Sequence, residues 1–144
     1  MSVEIDRDGR SKLHYAATQN AAAWKVQRLI DEGCDVNLHD RHGMTPLHFA
    51  CQEHSLENAR VLLAAGAQID ARDKHGNTPL SKAVFSWREG AGSLIELLRS
   101  HGADPFAANN HGVSPIRLAR TISNYDVRKF FKDLPEEPDQ APGR

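Results

Sequence analysis

A phrase that returns at a fixed interval constrains this chain more than any other feature. Asp40-Arg41-His42-Gly43-Met44-Thr45-Pro46-Leu47-His48-Phe49-Ala50-Cys51 is echoed, 33 residues after Gly43, by Asp73-Lys74-His75-Gly76-Asn77-Thr78-Pro79-Leu80. A period of this size signals small supersecondary units stacked on one another, because no single unit buries its apolar face alone. Two weaker copies flank the pair. Gly9-Arg10-Ser11-Lys12-Leu13-His14-Tyr15-Ala16 lies 34 residues before Gly43, and Gly112-Val113-Ser114-Pro115-Ile116-Arg117-Leu118-Ala119 lies 36 after Gly76. A second phrase keeps step with the first: Leu29 to Asn37, Leu62 to Asp70 and Leu98 to Asp104, each built around a glycine (Gly33, Gly66, Gly102).

Within one unit the residues dictate two helices and a turn. Thr45 and Thr78 are suited to cap a helix by accepting a backbone N–H, and the proline after each sits at the first helical position, where its missing donor costs nothing. The run Leu47 to Gln52 then makes two turns, and a second apolar run, Ala59 to Ala65, returns antiparallel to it until Gly66 stops it. Asp70 to Gly76 is polar and turn-rich.

With two phrases recurring in phase, the sequence resembles the ankyrin repeat family over about residues 5 to 134. The resemblance implies an all-α repeat solenoid of four ankyrin repeats, each a helix-turn-helix plus a projecting β-hairpin finger, in an L-shaped curved stack. The repeats fall at about 5–37, 38–70, 71–106 and 107–134, giving a single domain over 1–134 and a disordered Pro-rich acidic tail over 135–144. His14 and His48 are the histidines of the Thr-Pro-Leu-His phrase, which in the family hold one repeat against the next through backbone hydrogen bonds. Cys34 and Cys51 stand where the family usually has alanine and read as small buried thiols.

Departures from the phrase are informative. His54 replaces the glycine that usually separates the two helices. Val26, Leu29 and Ile30 share one helical face, and Trp24 is expected to pack against the helix pair, exposure toward a partner being the alternative. The third unit carries three extra residues within Phe85-Ser86-Trp87-Arg88-Glu89-Gly90-Ala91-Gly92. Stacking does not call for two aromatics in that extension, so Phe85 and Trp87 are candidate partner contacts; the alternative is that they tuck back onto the inter-helix groove.

Charge and chemistry narrow the function classes. The formal net charge is −1, and Asp133, Glu136, Glu137 and Asp139 against Arg144 leave 17 basic and 15 acidic residues in 1–132, a stacked body of net +2. Scattered Arg and Lys without interleaved aromatics argue against nucleic acid. No N-terminal apolar run resembles a signal peptide and no stretch reaches the roughly 20 apolar residues that span a bilayer, so a cytoplasmic location is expected and no membrane partner. His42, His75 and His111 share one finger position, but neighbouring fingers about 10 Å apart do not share an ion whose ligand bonds are near 2 Å. There is no zinc, phosphate-loop or nucleophile-elbow motif, so neither an enzyme nor a cofactor is expected.

Binding remains. Positions free of stacking duties lie on the finger tips and at the exposed ends of the first helices, which line the concave face in the family: Arg10, then Arg41, His42, Met44, Gln52 and Glu53, then Lys74, His75, Asn77, Phe85 and Trp87, then Asn110 and His111. Arg10, Arg41 and Lys74 would complement an acidic patch on a protein partner. The expected function is a monomeric protein-binding module that inhibits or neutralises its partner, since short ankyrin proteins without an attached effector domain resemble bacterial inhibitors and toxin-immunity proteins. The alternative is an adaptor or accessory subunit that positions another protein.

Overall fold

The computed structural model describes residues 4–20, 23–87, 92–122 and 126–135. Among these residues seven α-helices and one 3₁₀ segment follow in order: α1 (Lys12–Ala17), α2 (Ala23–Asp31), α3 (Pro46–Gln52), α4 (Leu56–Ala64), α5 (Pro79–Phe85), α6 (Gly92–Ser100), α7 (Pro115–Thr121), then 3₁₀ over Asp126–Phe131. Short first helices α1, α3, α5 and α7 pack side by side in chain order, and α2, α4, α6 and the 3₁₀ segment form a second layer behind them.

The recurring phrase starts each first helix as its residues dictate. Ser11, Thr45, Thr78 and Ser114 are extended N-caps whose hydroxyls accept from the amides of Leu13, His48, Ser81 and Arg117, and proline opens α3, α5 and α7. The core lies between the layers. Leu13, Leu47, Leu80 and Ile116, one from each phrase, are completely buried, as are Val26, Leu62 and Leu98 of the second layer. At about 25 cal/mol per Å² of apolar surface, each such side chain contributes on the order of 2 kcal/mol.

Several expectations need correction. Among the described residues there is no strand, so the fingers are closed turns rather than β-hairpins; each is too short to build a ladder of its own. Helix α4 begins at Leu56, earlier than the apolar run suggested, because Ser55 and Asn58 are buried and continue the helix's inner face. Trp24 does not pack onto the helix pair and is 67% exposed. Cys51 is buried as expected, but Cys34 is only half-buried. In the fourth unit a 3₁₀ segment stands where the other units have a second α-helix.

The insertion in the third unit does more structural work than its sequence suggested. Trp87 turns inward against Phe130, with ring centroids 5.5 Å apart. Gly92 opens α6 beneath the same ring: a Cβ there would fall 1.9 Å from Phe130 Cζ, so a side chain at this position would require the Phe130 ring to move. His54, at φ 56°, holds a left-handed conformation that costs a non-glycine residue on the order of 1 kcal/mol. Its Nε2 lies against the Ser86 carbonyl and 3.1 Å from Ser86 Oγ, contacts that tie this turn to the end of α5 and that glycine would not make. The remaining insertion residues, 88–91, and the tail expected to be disordered, from 136 onward, lie outside the described residues.

Candidate protein-binding edge

Each finger is built around one acceptor side chain. Oδ1 of Asp6, Asp40, Asp73 and Asn109 accepts from the amides two and four residues on, at 2.8 to 3.0 Å in every case. The same four residues close the turn by donating their own amides to the carbonyls of Arg10, Met44, Asn77 and Val113. In the middle fingers the second carboxylate oxygen meets a cation: Asp40 Oδ2 accepts from Arg10 Nε at 3.0 Å, and Asp73 Oδ2 from Lys82 Nζ at 3.1 Å. Burial alone would raise both carboxyl pKa values. The amides of Met44 and Asn77, with Arg10 and Lys82, outweigh it and hold both below the usual carboxylate range.

The fingers are laced to one another. Arg41 N–H donates to Asp8 O at 2.8 Å, Lys74 N–H to His42 O at 2.8 Å, and Asn110 N–H to His75 O at 2.9 Å. Gly43 makes this closeness possible: at φ +74° its missing Cβ would stand 2.8 Å from Lys74 N. The result is a row of tips at one register on which Arg41, His42, Lys74, His75 and His111 are exposed. Phe85, at the end of α5, is 76% exposed, while Gln52 and Glu53 at the end of α3 are half-buried.

The remaining candidates belong to the framework. Met44 is buried at 9% exposure, drawn under its finger because its amide and carbonyl are bonded to Asp40 and His14. Arg10 is half-buried in its pair with Asp40, its guanidinium carbon 5.1 Å from the Phe49 ring centroid and 5.9 Å from that of Tyr15. Asn77 accepts from His48 through its carbonyl and from Asn109 Nδ2, at 2.9 Å, through Oδ1. Asn110 is exposed but donates Nδ2 to Lys74 O at 3.0 Å. Trp87 faces Phe130. Tyr15, exposed beside Arg10 and donating its hydroxyl to Asp6, was missed by the sequence analysis, although its register with Phe49, 34 residues on, marks the same helix face.

The two phrase histidines fasten units as expected. His14 Nδ1 accepts from Ser11 N–H at 3.1 Å while Nε2 faces the carbonyls of Leu38 and Met44 at 2.9 and 3.1 Å. His48 Nδ1 accepts from Thr45 N–H at 3.1 Å and Nε2 faces Asn77 O at 2.9 Å. An Nδ1 that accepts an amide puts the single ring hydrogen on Nε2, where the carbonyls need it, so both rings are neutral. Burial lowers both pKa values, that of His48 to about 4. The Cys51 thiol is pushed up by complete burial, which removes it as a nucleophile.

Comparison with known proteins agrees with the repeat fold. The family model described as ankyrin repeats in three copies matches residues 13–109. The chain is 30% identical over 145 residues to neurogenic locus notch homolog protein 1 of Danio rerio, an alignment that covers 96% of this chain and 6% of that protein. It is 32% identical over 145 residues to the protein of that name from Xenopus tropicalis, with the same coverage. Against neurogenic locus notch homolog protein 2 of Homo sapiens it is 27% identical over 127 residues, covering 88% of this chain and 5% of that protein. The chain thus spans about a twentieth of the length of these relatives.

Proposed function

This chain belongs to the ankyrin repeat family, whose units are protein-interaction modules, and from that premise we propose that it binds an acidic protein partner along the finger edge and acts by occupying that partner, as an inhibitor or neutralising protein of the immunity type. The observation that carries this reading is the division of labour within each finger. Backbone and base side chains are consumed in closing and lacing the turns, whereas Arg41, His42, Lys74 and His75 stand exposed on adjacent tips joined by the Lys74-to-His42 bond. Laced tips lose little conformational freedom on binding, and the charges of Arg41 and Lys74 steer an acidic surface toward them. Phe85, exposed at the end of α5, supplies the aromatic anchor that interfaces favour.

Inhibition needs one face. An adaptor needs two, and one observation favours it: Trp24 is 67% exposed on α2, in the layer opposite the first helices. A partner recovered by affinity capture separates the readings, because an inhibitor lowers that partner's own activity, whereas an adaptor leaves it intact and loses a third protein when Trp24→Ala is introduced.

The finger-edge reading is tested by calorimetry with that partner. Arg41→Glu is expected to weaken binding by more than about 2 kcal/mol, since it removes a donor and adds a like charge. Arg60→Glu, on α4, breaks only the exposed pair with Glu57 and is expected to leave affinity within about 0.5 kcal/mol. The reverse outcome, with circular dichroism showing both variants folded, would put the partner on the helical face.

A further inference from the structure

The fourth unit holds a pocket of about 450 Å³ that the finger edge does not use, lined by Ala119, Arg120, Arg128, Phe131, Lys132 and Leu134. Its floor is apolar, with Ala119 and Phe131 buried, and Arg128 and Lys132 stand exposed around it. Among the described residues three cations line it and no acidic residue does. The neighbouring carboxylate, Asp133, is already taken: its two oxygens accept from Arg99 Nη1 and Nη2 at 2.7 and 2.8 Å.

The main chain itself leads to this pocket. Arg128 Nη2 donates to the Arg120 carbonyl at 2.6 Å, and Arg120 Nη2 donates to the Pro135 carbonyl at 3.3 Å. The residues that follow are Glu136-Glu137-Pro138-Asp139, and over 136–144 three acidic residues stand against Arg144 alone. A residue advances the chain by at most about 3.5 Å, so Glu136 and Glu137 begin within about 7 Å of a carbonyl that the pocket already holds.

We propose that this pocket is the docking site for the acidic segment Glu136 to Asp139 of the same chain, its carboxylates pairing with Arg120, Arg128 and Lys132. Each such exposed pair is weak and screened by salt. Covalent attachment supplies a high effective concentration, so the segment is held yet exchangeable. The pocket is thereby shielded from other acidic peptides until one of them competes the segment away.

The test uses the full chain and the nuclear magnetic resonance signals of the Arg Nε–Hε groups and of amides 128–132. Replacing Glu136→Gln, Glu137→Gln and Asp139→Asn together at low salt is expected to shift the Arg120 and Arg128 signals and the nearby amides, leaving Arg41 and Arg60 in place. Adding about 0.5 M NaCl to the unaltered chain is expected to shift them the same way, because the Debye length then falls to a few ångströms. Arg120 and Arg128 signals identical in the two chains at low salt would overturn the proposal. So would a difference that grows with protein concentration, which would make a second copy the occupant. Signals that ignore the substitutions but move when a synthetic Glu-Glu-Pro-Asp peptide is added would assign the pocket to another protein.

Discussion

Between the first and second units, and again between the second and third, a buried neutral imidazole crosses the boundary, from His14 to the carbonyls of Leu38 and Met44 and from His48 to that of Asn77. Between the third and fourth units the same register holds Ser81, whose side chain is too short to cross. There the boundary is closed by Arg72, whose Nη1 donates to Ala108 O at 2.6 Å, and by Asn109 Nδ2 on Asn77 Oδ1 at 2.9 Å. The apolar contact is common to both regions: Leu47, Leu80 and Ile116 are all completely buried. The spacing of the stack is therefore an apolar property, and its polar fastenings are interchangeable in geometry but not in their response to pH. A protonated imidazole still donates Nε2–H to the carbonyls, but its Nδ1 can no longer accept the amide of Ser11 or Thr45 and its charge is buried, whereas a guanidinium keeps one protonation state throughout.

The largest expected effect tests what the two regions share. Leu47→Ala and Ile116→Ala each remove a fully buried side chain and are expected to cost about 2 to 5 kcal/mol in denaturant unfolding, with Leu62→Ala in the same range. If one of the pair cost little, the apolar equivalence of the two regions would fail.

The next effect should divide them. His48 has a folded pKa of about 4 against about 6.5 for an unfolded chain. Because the unfolded chain takes up the proton first, stability is fully present above about pH 6.5 and is lost as pH falls toward 4, by roughly 3 kcal/mol at the lower end. His14 acts in the same direction. Below that window Asp40 and Asp73, whose folded pKa values are depressed, add a further loss as they protonate. Unfolding followed at pH 7.5 and pH 5 should show the first two junctions weakening before the third, and His48→Gln should lower stability at pH 7.5 while flattening the pH dependence. An unchanged slope would mean that the ring titrates alike in the folded and unfolded chain.

A smaller change sharpens the other side of the contrast. Arg72→Ala is expected to cost about 1 kcal/mol, the net value of a hydrogen bond, by the same amount at pH 7.5 and pH 5. A cost that vanished at acid pH would mean that the third junction shares the histidine chemistry.

Much of this fold is legible in the sequence because a capping residue, a proline and a leucine at fixed spacing specify a helix start wherever they recur. What was not legible is which exposed-looking residues are consumed across a unit boundary. Arg10 meets Asp40 thirty residues away, and Asn77 meets Asn109; both contacts depend on which finger lies beside which, and neither residue's own neighbours in sequence reveal it. Met44 occupies a tip-like position in the phrase, yet the double acceptance by Asp40 Oδ1 draws its backbone under the turn. Trp87 reads as a loop aromatic until it is seen against Phe130, whose ring lies over Gly92. Arg41, His42, Lys74, His75 and Phe85 keep the exposure expected of them because nothing in the stack requires their side chains.

The smallest effect on stability belongs to those same residues: Arg41→Glu should change the unfolding free energy by less than about 0.5 kcal/mol. Hydrogen exchange of the chain alone and with its partner then tests the finger edge most directly. The finger amides are bonded within and between turns at the edge of the stack, and partner binding there is expected to slow exchange further in segments 40–45 and 73–78 and at the end of α5, while α2 and α4 exchange as before. Slowed exchange confined to α2 and α4, with segments 40–45 and 73–78 unchanged, would contradict the account and move the working surface to the helical layer.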